Sequence, residues 1–75
     1  MQFDRQIDTR GTKCPMPVLK TKRALATMQQ GEVLCVLATD PASMGDLVQF
    51  AKQTGHQILT QEEKDGVYIH YLKHK

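Results

Sequence analysis

The chain has no CxxC pair and no cysteine pair at zinc-ligand spacing; its two cysteines are Cys14 and Cys35. Their arrangement speaks against a zinc ribbon and against dithiol redox work of the CxxC kind. Two cysteines are also too few for a disulfide-dense secreted scaffold. No apolar run approaches membrane-spanning length. The N-terminal stretch MQFDRQIDTR is polar, without the apolar core of an export signal. With a free thiol, these features lead to the expectation of a reducing, cytoplasmic setting. A formal net charge of +2 makes no case for nucleic-acid binding. There is no linker, repeat or low-complexity segment, so residues 1–75 read as a single domain with a modest core.

What is present centres on Asp8-Thr9-Arg10-Gly11-Thr12-Lys13-Cys14-Pro15-Met16-Pro17. A thiol stands where a Gly-containing loop gives way to a helix. Pro15 suits the first helical turn, where its missing N–H has no intrahelical partner. Cys14 then falls at or beside the helix N-cap, where free N–H groups and the helix dipole favour a thiolate. Lys13 and Arg10 add positive charge. The expectation is a partly exposed thiol with a lowered pKa. The alternative is a small buried residue capping a turn. Cys35, inside Val33-Leu34-Cys35-Val36-Leu37, reads as core.

The chain alternates short elements. Residues 3–8 suit a half-buried strand. Residues 15–29 read as a helix, with Val18, Leu25 and Met28 at helical spacing and Lys20, Lys22 and Arg23 facing water. Gly31 stops it. Residues 32–39 are an almost continuous apolar strand. A second helix opens at Asp40-Pro41-Ala42-Ser43, capped either by Asp40 or by Ser43 in a capping box with Asp46. Met44, Leu47, Val48 and Ala51 give it an apolar stripe, and Gly55 ends it. Strands at 57–64 and 67–73 join at Asp65-Gly66, a strong hairpin signal.

The order βαβαββ predicts a two-layer α/β sandwich: a mixed four-stranded sheet with both helices on one face. Cys14 then lies at the carboxyl end of the first strand, where such folds place their chemistry. The Asp40-Pro41 turn, at the carboxyl end of the second strand, is expected beside it.

Cys14-Pro15-Met16-Pro17 resembles the CPxP signature of the TusA/SirA-like sulfur-carrier family. The resemblance extends over essentially the whole chain. Asp8 and Gly11 match a D-x-x-G lead-in, and Gly31-Glu32 the turn into the second strand. Thr39-Asp40-Pro41, Asp46, Phe50 and Gly55-His56 match the second-helix region, and Asp65-Gly66 the hairpin. The resemblance implies strand order 1-2-4-3 and a persulfide on Cys14. It implies a donor such as a cysteine desulfurase and a downstream acceptor protein. The pathways served in the family include tRNA 2-thiouridine formation, molybdenum-cofactor supply and sulfur oxidation. Met16, Gly45 and Val48 depart from the Glu, Arg and Pro of some tRNA-pathway members, which weakens that assignment.

On these grounds Cys14 is the candidate catalytic residue. Asp8, Arg10, Gly11, Lys13, Pro15 and Pro17 are candidates for activating the thiol or shaping its loop. Asp8 pairs with Arg10, caps the loop, or is simply a strand-end turn residue. Met16, Lys20, Lys22, Arg23 and Asp40 are candidate docking residues. The cations have a second reading as an ordinary solvated helix face, and Met16 as a partly covered helix residue. His56, His70 and His74 form no evident ligand set, and neither metal nor cofactor is expected. A monomer is the default, with no membrane or nucleic-acid partner. Two rival functions remain open: a thiol redox sensor and a non-catalytic binding module.

Overall fold

The computed structural model describes all 75 residues. Its elements are β1 (Arg5–Asp8), α1 (Met16–Ala26), β2 (Val33–Ala38), α2 (Ser43–Thr54), β3 (Gln57–Lys64) and β4 (Val67–Lys73). They form one four-stranded sheet in the order β1-β2-β4-β3. β1 runs parallel to β2, while β4 is antiparallel to both β2 and β3. The predicted mixed sandwich is the observed fold.

Alternation along β2 explains the two layers. Leu34 and Val36 point to one face and meet Leu72 of β4, Ala24 and Leu25 of α1, and Leu47 and Phe50 of α2. Both helices therefore cover the same face. Leu34, Val36, Leu47 and Leu72 are all fully buried. Truncating one of them to Ala would cost about 2–5 kcal/mol, a large part of what so small a core supplies. Cys35, one residue out of phase, faces the opposite side. It is 2% exposed beside Tyr71, its register partner on β4, and the Tyr71 ring packs against Phe3 at 6.3 Å between centroids.

Boundaries differ from the sequence reading at a few places. α1 starts at Met16 and ends at Ala26. Met28 packs against the core from beyond the helix end. The inward side of α1 carries Pro17, Thr21, Ala24 and Leu25; the small Ala24 and Thr21 let the helix lie close to the sheet, a role apolar periodicity does not reveal. α2 does end at Gly55, whose φ of 86° is left-handed. Asp65 (φ 52°) and Gly66 (φ 82°) supply the two positive φ angles of a type I′ hairpin turn.

Because β1 and β2 are parallel, with Asp8 opposite Leu37, their carboxyl ends share one edge of the sheet. The loop carrying Cys14 and the turn carrying Asp40 leave from that edge together.

Candidate functional site

The loop 9–14 is laced to the end of β2. Thr9, fully buried, donates both its N–H (2.7 Å) and its hydroxyl (2.6 Å) to the Leu37 carbonyl. Thr12 Oγ1 donates back to the Thr9 carbonyl at 2.6 Å. The Gly11 N–H donates to Thr39 Oγ1 at 2.9 Å. Gly11 has φ 80°, a conformation that costs a side chain strain. Asp8 and Arg10 form a two-pronged ion pair at 2.9 Å on both prongs, and the Arg10 N–H also donates to Asp8. The Arg10 side chain holds the Asp8 carboxyl down to about 2. Arg10 is thus spent on Asp8 and shapes the loop; its charge does not bear on the thiol.

Cys14 is exposed and Cys35 buried; both are free thiols. The Cys14 N–H donates to Asp40 Oδ2 at 2.7 Å. The same carboxylate accepts the Ala42 N–H through Oδ1 at 3.1 Å. One aspartate therefore ties the thiol-bearing loop to the start of α2. These bonds, that from Cys14 first, hold the Asp40 carboxyl below its ordinary value.

The electrostatics at the sulfur are the reverse of the sequence expectation. The Cys14 thiol is pushed up, first by a hydrogen bond to the Asp46 carboxylate, then by partial desolvation and by the negative charges of Asp46 and Asp40. The reason is local. Pro15 and Pro17 carry no N–H. The Cys14 N–H is used by Asp40, and the Met16 N–H donates to the Lys13 carbonyl at 2.8 Å. None of the backbone positions from Cys14 to Pro17 has a donor left for the sulfur. The N-cap is Pro15, joined to Cys14 by a cis peptide bond, and no side chain caps the helix. Lys13 is exposed, and its charge is felt at Asp40 rather than at Cys14.

Two hollows flank the loop. One, about 260 Å³, is lined by Gly11, Thr12 and Lys13 from one turn and Thr39, Asp40 and Pro41 from the other. The second, about 240 Å³, brings Cys14, Pro15 and Val18 together with Asp46, Gln49, Phe50 and Gln53 of α2. Asp46 was not among the sequence-derived site residues. Its only sequence signals were a capping-box spacing from Ser43 and a motif match.

That capping box does not form. The N-cap of α2 is Ala42, with no side-chain cap. Ser43 Oγ instead lies 3.0 Å from Nε2 of His70. Gln61 Nε2 donates to the Met44 carbonyl at 2.9 Å and faces His70 Nδ1 at 3.1 Å. The amide donor fixes Nδ1 as acceptor and leaves the imidazole proton on Nε2, shared with Ser43. His70 is fully buried, and desolvation pushes its pKa down to about 4. His56 stacks on Phe50 and meets His74 edge-on. No group of three or more His, Cys, Asp or Glu side chains is gathered to hold a metal ion.

A family model described as sulfurtransferase TusA matches residues 5–74. The chain belongs to this family. A protein of Neisseria meningitidis serogroup B is 52% identical over 69 residues, covering 92% of this chain and 93% of that one. The sulfur carrier protein TusA of Allochromatium vinosum is 44% identical over 70 residues, with 93% and 91% covered. The crystal structure of a SirA-like protein from Desulfitobacterium hafniense superposes with a TM-score of 0.83 at 35% identity, covering 93% of this chain and 96% of that one.

In this TusA-family chain the remaining candidates lie on α1. Met16 is 36% exposed and Leu19 39% exposed. Lys22 and Arg23 are exposed, and Lys20 is half-buried. An apolar pair and a set of cations therefore stand on the helix that follows the thiol. Pro17 is buried on the inward side of α1. No helix is long and apolar enough to cross a membrane.

Proposed function

We propose that this chain is a cytoplasmic sulfur carrier in which Cys14 takes up sulfane sulfur as a persulfide and hands it to an acceptor protein. The observation that carries the reading is a single exposed thiol, fixed by its own N–H to Asp40, in a chain of the sulfurtransferase TusA family. A donor such as a cysteine desulfurase presents R–S–SH. The Cys14 thiolate attacks the outer sulfur, forming Cys14–S–SH and releasing R–S⁻. An acceptor thiolate then attacks that outer sulfur, and Cys14 leaves as thiolate.

The other thiol does not compete. Cys35 sits on the far face of β2, and burial pushes its thiol up. With no resolving cysteine at hand, Cys14 is suited to carry a sulfur rather than to close an internal disulfide. Met16, Leu19, Lys20, Lys22 and Arg23 would meet the partner, the cations matching an acidic rim around its reactive cysteine.

The test is incubation with a cysteine desulfurase and cysteine, followed by intact-protein mass spectrometry. A reductant-sensitive gain of one sulfur, absent in Cys14→Ser and kept in Cys35→Ser, supports the reading; transfer retained in Cys14→Ser overturns it.

A further inference from the structure

His70 occupies a position that strand alternation assigns to the core. Its register partner on β2 is Val36, and Leu72, two residues on, stands opposite Leu34. Val36, Leu34 and Leu72 all face the helices. An aliphatic residue at 70 would satisfy that pattern. The position instead holds an imidazole, fully buried and bonded through both ring nitrogens. Nδ1 faces Gln61 Nε2 of β3 at 3.1 Å, and Nε2 faces Ser43 Oγ at 3.0 Å. Gln61 Nε2 also donates to the Met44 carbonyl at 2.9 Å. Side chains of two strands thus grip Ser43 and Met44, the first two residues of α2.

These two residues adjoin the anchor of the thiol. The Ser43 N–H donates to the Asp40 carbonyl at 3.0 Å. The Asp40 carboxylate takes the N–H groups of Ala42 and Cys14. Three hydrogen bonds therefore lead from the buried ring to the Cys14 backbone. They run from His70 Nε2 to Ser43 Oγ, from the Ser43 N–H to the Asp40 carbonyl, and from the Cys14 N–H to Asp40 Oδ2. The earlier part of the thiol loop is held separately, by Thr9 and Gly11 on the end of β2. A satisfied polar network in a core holds one arrangement, because a shift leaves a buried donor or acceptor unpaired. An aliphatic side chain at 70 would fill the space and hold Ser43 in no particular place.

We propose that His70 is a positioning residue for sulfur exchange: with Gln61 it fixes Ser43, and through Ser43 the turn whose Asp40 holds Cys14. The inference rests on the sulfur-carrier reading for its function, and on the hydrogen-bond chain for its geometry. It gives the β3–β4 hairpin a share in a site otherwise built from the loops that follow β1 and β2. His70 acts through Ser43 and Asp40, and the chemistry stays with Cys14. A thiol held by its own N–H meets an incoming persulfide from one direction. With the chain broken at Ser43, the same thiol samples several orientations and reacts from fewer of them.

The test uses the full chain, isotope-labelled for NMR, with the Cys14 amide as probe. The shift of that amide proton and its exchange with water report the bond to Asp40. Ser43→Ala and His70→Leu should move the proton upfield and speed its exchange severalfold. His70→Gln, whose amide still donates towards Ser43 Oγ, should stay close to wild type. Ile58→Ala trims a β3 side chain that packs on the core outside the network, and so controls for lost stability. It should leave the Cys14 amide unchanged. If His70→Leu does not fold, Ser43→Ala decides alone. In a second arm, sulfur is loaded from a cysteine desulfurase and cysteine. The kcat should fall severalfold in Ser43→Ala at unchanged KM for the carrier, with His70→Gln again near wild type. A Cys14 amide unmoved by Ser43→Ala, one moved equally by Ile58→Ala, or a loss confined to KM overturns the positioning role. The amide arm uses no sulfur donor, so failure there is distinct from failure to form a persulfide.

Discussion

Asp40 Oδ2 accepts the N–H of Cys14 at 2.7 Å across two turns that are 26 residues apart in sequence. Parallel pairing of β1 and β2 makes the contact possible, because it brings the two strand ends to one edge. Through its other oxygen Asp40 holds the Ala42 N–H, so the thiol loop and α2 are braced by one side chain.

Asp40→Ala removes both acceptors. The variant should unfold at lower urea concentration and load sulfur severalfold more slowly, because the thiol is no longer held at a fixed place. Asp40→Asn, which keeps one acceptor oxygen, should fall between. The Asp40 carboxyl is depressed, so its contribution is present above the ordinary carboxylate range and lost as pH falls through its folded value. Wild-type urea midpoint and loading rate in Asp40→Ala would contradict this role.

His70 makes stability depend on pH in the same direction but a different window. Its folded pKa of about 4 lies below the ordinary 6.5, because burial disfavours the charged ring. Between those values the unfolded chain binds the extra proton. Stability from this group is therefore full above pH 6.5 and lost as pH falls towards 4, by at most about 3 kcal/mol. Urea unfolding at pH 7 and pH 4.5 should show a larger loss in wild type than in His70→Gln. Equal losses would show that the buried imidazole does not drive the dependence.

Charge reversal at Lys20 and Lys22 tests the docking surface. The double Glu variant should associate with an acidic donor more slowly at low salt, on the order of tenfold, and the difference should shrink as salt screens it. The fold should be unaffected, since Lys22 is exposed and Lys20 half-buried. A rate insensitive to both charge and salt would remove α1 from the interface.

Much of this site is legible in the sequence, and the rest is hidden for definite reasons. Gly55 and Asp65-Gly66 mark their turns because their φ angles demand it. Cys14 announces itself by standing before Pro15 at a strand-to-helix junction, and the alternating order of elements places the Asp40 turn beside it. Three things are not legible. The side of α2 that meets Cys14 depends on how α1 and α2 pack, so Asp46 looks like half of a capping box. Ser43 suits that box equally well, but the buried ring of His70 claims its hydroxyl. The thiol's electrostatics cannot be read from a helix N-terminus alone: two prolines delete donors, and Asp40 and the Lys13 carbonyl consume the others.

The most direct measurement is the mass of the intact chain after incubation with an active cysteine desulfurase and cysteine. A persulfide carrier gains one sulfur atom that reductant removes, mapped to Cys14, lost in Cys14→Ser and retained in Cys35→Ser. A chain with a demonstrably free Cys14 that gains no sulfur from desulfurase or from inorganic polysulfide, yet is oxidised by peroxide, would contradict the carrier assignment.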